Sequence, residues 1–126
     1  MQQHHYLIAD DVDEVKIGRI RSSIECADPM AEIHIARSVR EALALTDAVE
    51  FDAAAIDFDF LGEAENGADI IRTLRGKNAQ AAIALVTARD EEAYEEASAR
   101  ALDAGANATF TSATSFESEL QTTLAA

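Results

Sequence analysis

Five short apolar runs recur along the chain at intervals of roughly 20 to 30 residues: Tyr6 to Ala9, Ile33 to Ala36, Ala53 to Ile56, Ala82 to Val86 and Ala108 to Thr111. Runs this short and this continuously apolar predict buried strands. Between them the pattern changes to helical spacing. Val15, Ile20 and Ile24 stand close to that spacing, and Asp28 with Pro29 closes their segment. Ser38-Val-Arg-Glu41 has the form of a capping box, with Ala42, Leu43 and Val49 behind it. Asn66-Gly67 opens a third helix carrying Ile70, Ile71 and Leu74, and Gly76 is expected in the left-handed conformation past its end. Asp90 is expected to cap a fourth helix, with Glu96 and Arg100 four apart and Gly105 beyond it. Thr114-Ser-Phe-Glu117 repeats the capping-box form, and Phe116, Leu120 and Leu124 give the last helix one apolar stripe.

Strict alternation of strand and helix predicts an α/β fold, a doubly wound parallel sheet with helices on both faces, because strands apolar on both sides must be covered on both. A chain of 126 residues with no linker or low-complexity stretch reads as one domain, 1–126. Right-handed crossovers limit the topologies, and in open sheets of this kind ligands bind beyond the carboxyl ends of the strands.

That rule gives meaning to the stretch AIDFDFLG at 55 to 62, where Asp57 and Asp59 interrupt an apolar run. An ionised carboxylate resists leaving water, so these acids belong at a wet strand end or at a bound cation. Asp10 and Asp11 end the first strand and Thr87 ends the fourth. If the first, third and fourth strands are neighbours, all these side chains meet on one rim. Two carboxylates about 4 Å apart repel by roughly 4 kcal/mol at an effective dielectric near 20, so a positive partner or protonation is required. Hard oxygen donors without His or Cys suit Mg²⁺, and a carboxylate held beside Mg²⁺ can act as a nucleophile towards phosphorus.

Charge narrows the function classes further. With 10 basic and 24 acidic residues the formal net charge is −14, which argues against nucleic-acid binding by this domain. Cys26 is the single cysteine, so neither an intrachain disulfide nor a cysteine zinc site can form, and a reducing, cytoplasmic setting is expected. No signal-peptide pattern and no apolar run of membrane-spanning length is present. His4 and His5, adjacent on a strand, would point to opposite faces and are expected to be solvated rather than paired on a metal.

YLIADD at 6 to 11, FDAAAID at 51 to 57, NGADII at 66 to 71, ALVTA at 84 to 88 and DAGANATF at 103 to 110 together resemble the receiver domain of two-component response regulators, over nearly the whole chain. The resemblance, not the residue pattern, implies a flavodoxin-like sheet in the order 2-1-3-4-5. It implies that Asp57 accepts a phosphoryl group from a histidine kinase or phosphotransfer protein. Asp10, Asp11 and Asp57 would hold Mg²⁺ together with the backbone carbonyl of Asp59, and Thr87 would contact a phosphoryl oxygen and shift towards it. That shift would repack the fourth helix, fifth strand and fifth helix into a surface for a downstream partner, an output domain or a second copy of the chain. Such a domain is a phosphoacceptor in a phosphorelay and not an enzyme, beyond catalysing its own phosphorylation and dephosphorylation.

The sequence departs from that family where a Lys-Pro pair normally follows the fifth strand, because Ser112-Ala113 fall there. Thr109 replaces the usual aromatic on that strand, and the loop from Asp57 to Gly67 is two residues longer than usual, with Leu61 where proline is common. Arg89 is the nearest cation in the pattern and a candidate replacement for the lysine. Two alternatives follow: a pseudo-receiver that binds partners without stable phosphorylation, and a metal-dependent phosphohydrolase using Asp57-Phe-Asp59 as a DxD motif. Against the latter, that motif usually follows the first strand in the haloacid-dehalogenase family.

Overall fold

The structure is a computed structural model and describes residues 3–112. Strands β1 (His5–Ala9), β2 (Glu32–Ala36), β3 (Ala53–Ile56), β4 (Ala82–Val86) and β5 (Ala108–Phe110) form one parallel sheet in the order β2-β1-β3-β4-β5. Helices α1 (Glu14–Ala27), α2 (Val39–Ala48), α3 (Gly67–Lys77) and α4 (Glu91–Ala104) alternate with them. The last expected helix, with Thr114, Phe116, Glu117, Leu120 and Leu124, lies outside the described residues. No described helix is long and apolar enough to cross a membrane.

Side chains alternate across the sheet and divide the core in two. Leu7 and Ala9 of β1 pack with Ala54, Ile56, Ile70, Ile71 and Leu74 on one face. Tyr6 and Ile8 pack with Ile17, Ile20 and Ile24 of α1 on the other. Every residue of β3 is buried, and its three alanines let the helices approach the centre of the sheet closely.

Three local expectations are corrected. Val15 is 72% exposed and Ile17 takes its place in the core. At 100° per residue Val15 lies about 140° around the helix from Ile20, whereas Ile17, Ile20 and Ile24 fall on one stripe. Gly76 lies within α3, which runs on to Lys77 and is capped by Asn78 in an extended conformation. Its end is held instead by Arg75, whose Nη1 donates to the carbonyls of Asn78, Ala79 and Ala81 and whose Nε donates to that of Gly105. Gly105 has φ 121° and caps α4 as expected; a Cβ there would meet Arg75 Cγ at 2.8 Å. At α2 the capping box is only half formed: Ser38 Oγ accepts from Glu41 N, but Glu41 Oε1 reaches past Ser38 to Arg37 N. The complete box is at α3, where Asn66 and Asp69 cap each other.

Candidate functional site

The strand register brings the ends of β1, β3 and β4 side by side. Asp10 N donates to Ala36 O, Asp57 N to Ala9 O and Thr87 N to Phe110 O, so each residue extends its strand by one bond before the chain turns away. Asp10, Asp11 and Asp57 thereby each place a carboxylate oxygen within 4.8 Å of the others. The expected convergence is present, and Thr87, 1% exposed, completes it by hydrogen-bonding the Asp57 carboxylate.

Each acid is oriented by backbone. Asp10 Oδ1 accepts from Asp13 N at 3.3 Å, in the turn that starts α1, and Asp13 caps the helix through Lys16 N. Asp57 Oδ1 accepts from Phe58 N at 2.8 Å. Asp11 Oδ2 accepts from Leu61 N at 2.8 Å, which ties the lengthened loop to the site. Leu61 itself is exposed, while Phe58 and Phe60 anchor the loop in the core. The loop returns against Asp57 at Gly67, where a Cβ would lie 2.1 Å from the Asp57 carbonyl oxygen. No other residue type fits that contact.

The sequence reading missed Lys16. Its ammonium lies 2.6 Å from Asp10 Oδ2 and 3.5 Å from Asp57 Oδ1, and donates to the Val86 carbonyl at 3.0 Å. The residue is only 8% exposed. In sequence it is one lysine beside Ile17 in the first turn of α1, and only the packing of that helix over the end of β1 turns it inward. Arg89, the candidate replacement for the lysine, is engaged elsewhere. It clasps the Asp59 carboxylate at 2.9 and 3.1 Å, donates to Ala93 O and lies over the Phe58 ring. Ser112, at the usual lysine position, is half-buried and brings no charge.

Burial raises the Asp57 pKa, and the neighbouring Asp10 adds to the effect; Lys16 and the hydrogen bonds from Thr87 and Phe58 oppose it. Asp10 Oδ2 is buried, and its charge is offset by the Lys16 ammonium 2.6 Å away. Three carboxylates with oxygens within 4.8 Å of one another, lining an open cleft and facing a single ammonium, fit a hard cation such as Mg²⁺. Asp59 lines the same cleft, with its side chain turned to Arg89.

Thr109, in place of an aromatic on β5, forms a hydroxyl cluster with α4: its Oγ1 lies 2.8 Å from Tyr94 Oη and 2.7 Å from Ser98 Oγ.

No protein-family model and no curated protein matches the sequence. Solved structures match its fold. A response regulator receiver domain from Methanospirillum hungatei is 20% identical, with a TM-score of 0.78 over 98% of this chain and 95% of that one. The signal receiver domain of a DNA-binding response regulator from Colwellia psychrerythraea is 21% identical, with a TM-score of 0.75 over 98% and 99%. A response regulator from Burkholderia pseudomallei, solved with a phosphorylated aspartic acid and a calcium ion, is 22% identical, with a TM-score of 0.70 over 94% of this chain and 71% of that one. With five parallel strands in the order 2-1-3-4-5 and near-complete overlap with these structures, the chain has the fold of response regulator receiver domains.

Proposed function

We propose that the chain is an atypical receiver that takes a phosphoryl group on Asp57 from a histidine kinase or phosphotransfer protein. One observation carries this reading: the adjacent Asp10 and Asp11 and the distant Asp57 meet at the strand ends beside Thr87 and a buried ammonium. The Burkholderia relative with a phosphorylated aspartic acid supports it. A carboxylate oxygen of Asp57 would attack phosphorus, forming an acyl phosphate while the phosphorus–nitrogen bond of the donor breaks and the imidazole leaves with a proton. Thr87 and Lys16, both beside the Asp57 carboxylate, would bond the new phosphoryl oxygens, and Phe58 N donates to the acceptor carboxylate. Mg²⁺ would be held by Asp10, Asp11, Asp57 and the Asp59 backbone carbonyl, and when bound it supplies charge neutralisation at the acceptor. Lys16 thus stands in for the lysine that β5 lacks. Repacking around α4 and β5 would then present the surface that a partner reads.

The pseudo-receiver reading draws on the same ammonium, which neutralises Asp10 with no metal bound. Mass spectrometry separates the two. Uptake of one phosphoryl group from acetyl phosphate, dependent on Mg²⁺, lost in Asp57→Asn and slowed at least about tenfold in Lys16→Ala, is expected. No mass shift with any donor would make the chain a pseudo-receiver, and repeated turnover of an aryl phosphate would make it a phosphohydrolase.

A further inference from the structure

We propose a second cation site at the opposite end of the sheet, built by His5, Glu32 and His34 and suited to zinc or a similar borderline ion. The parallel register pairs His5 with Glu32 and Leu7 with His34, so the three side chains share one sheet face. His5 Nδ1 lies 3.0 Å from Glu32 Oε2 and 3.4 Å from His34 Nε2. Tetrahedral zinc with Zn–N near 2.0–2.1 Å sets neighbouring ligand atoms roughly 3.3 Å apart, so the spacing already present is that of a metal's ligand shell.

Three lone-pair atoms converge here, within 4.8 Å of one another. A single imidazole proton on His5 Nδ1 can serve only one of the two acceptors facing it in good geometry; a divalent ion serves all three. The ligands are also preset. The His34 ring meets Phe51 edge-on at 5.3 Å, and His5 N donates to Asp52 Oδ2 at 2.8 Å while Asp52 N returns a bond to His5 O. His5 and His34 are half-buried and Glu32 is exposed, so water can reach the cluster to complete the coordination. Adjacent His4 turns away to Asp28 at 3.2 Å, as expected for opposite faces of a strand, so the histidine pair comes from two strands and not from neighbours in sequence.

Two imidazoles and one carboxylate select differently from the all-oxygen cluster at the other end of the sheet, which prefers hard ions. A bound ion here would clip β1 to the edge strand β2. The test is calorimetric titration of tag-free protein with zinc in excess Mg²⁺, which keeps the acidic cluster occupied, followed by cobalt titration read by its visible absorption. One equivalent of zinc and the band of low-coordinate cobalt are expected. His34→Gln and the exposed-site variant Glu32→Gln each weaken binding at least about tenfold, the loss already reached by removing an outer-shell partner. His4→Gln leaves it unchanged. No uptake by the wild-type chain, or equal uptake by Glu32→Gln and His34→Gln, overturns the proposal.

Discussion

Replacing Lys16 by methionine keeps most of the stem and deletes the ammonium. At an effective dielectric near 20, a unit charge 2.6 Å from Asp10 Oδ2 and 3.5 Å from Asp57 Oδ1 attracts them by about 6 and about 5 kcal/mol. Desolvation of the three buried charges offsets most of this, and removing one partner of a buried pair leaves a net cost of about 3 kcal/mol. For a domain this size that is roughly a 10 °C fall in Tm. The loss should depend on metal. In EDTA, Asp10 and Asp57 face each other with nothing between them, so the full deficit appears in urea denaturation. At saturating Mg²⁺ the gap between variant and wild type should narrow by about 2 kcal/mol or more, because an ion bound only by the folded chain stabilises it by RT ln(1 + [Mg²⁺]/Kd), and the variant, with no ammonium competing for the same carboxylates, has the smaller Kd. A Lys16→Met variant as stable as wild type in EDTA, or equally responsive to Mg²⁺, would refute the charge balance described for the site.

Asp57→Asn tests the same pocket through pH. Burial raises the Asp57 pKa, so the folded chain holds that proton more tightly than the unfolded chain; the resulting stability is complete below the unfolded value of about 3.9 and is lost as pH rises through the folded value. In metal-free buffer the Asp57→Asn variant should therefore have a higher Tm than wild type at pH 7 and lose that advantage at about pH 3.5, as read by thermal melts at both. Gly67→Ala drives a Cβ into the Asp57 carbonyl and within 2.9 Å of Phe58 Cα, both backbone atoms that cannot step aside. A loss of about 3 kcal/mol in urea denaturation is expected. Arg75→Met removes the bonds from one guanidinium to Ala79, Ala81, Gly105 and Asn107, which join α3 to the end of α4; a loss of about 2 kcal/mol is expected, with faster amide exchange around Gly105.

The architecture was legible because strand and helix periods differ and the chain keeps both cleanly: all five apolar runs are strands, and Asp90, Asn66 and Ser38 cap helices. The site was legible as acids because a carboxylate at the end of an apolar run stands out. Its cation was not. A lysine on an amphipathic helix reads as a solvated residue, and only the placement of α1 over the end of β1 turns Lys16 inward. Arg89 was the natural candidate by proximity in sequence, yet Asp59 lies closer to it in space and claims it. Helix ends erred for a similar reason. Gly76 satisfies the local rule for a stop, but Arg75 binds the carbonyls beyond it, and α3 continues through Gly76 to Lys77.

The hydroxyl cluster of Tyr94, Ser98 and Thr109 gives the α4–β5 seam an unusual mechanical character. An aromatic wedged between helix and strand resists sliding through steric interlock, and withdrawing it would open a void. Alcohols impose no such barrier: each bond can be traded for one to solvent at a net cost of about 1 kcal/mol. Either oxygen in each pair can serve as donor, so the trio can also reverse its proton order in place. The helix is therefore fastened by a clasp that opens by wetting: the Tyr94 ring travels with α4, and β5 itself offers a hydroxyl there and no ring to obstruct a small displacement.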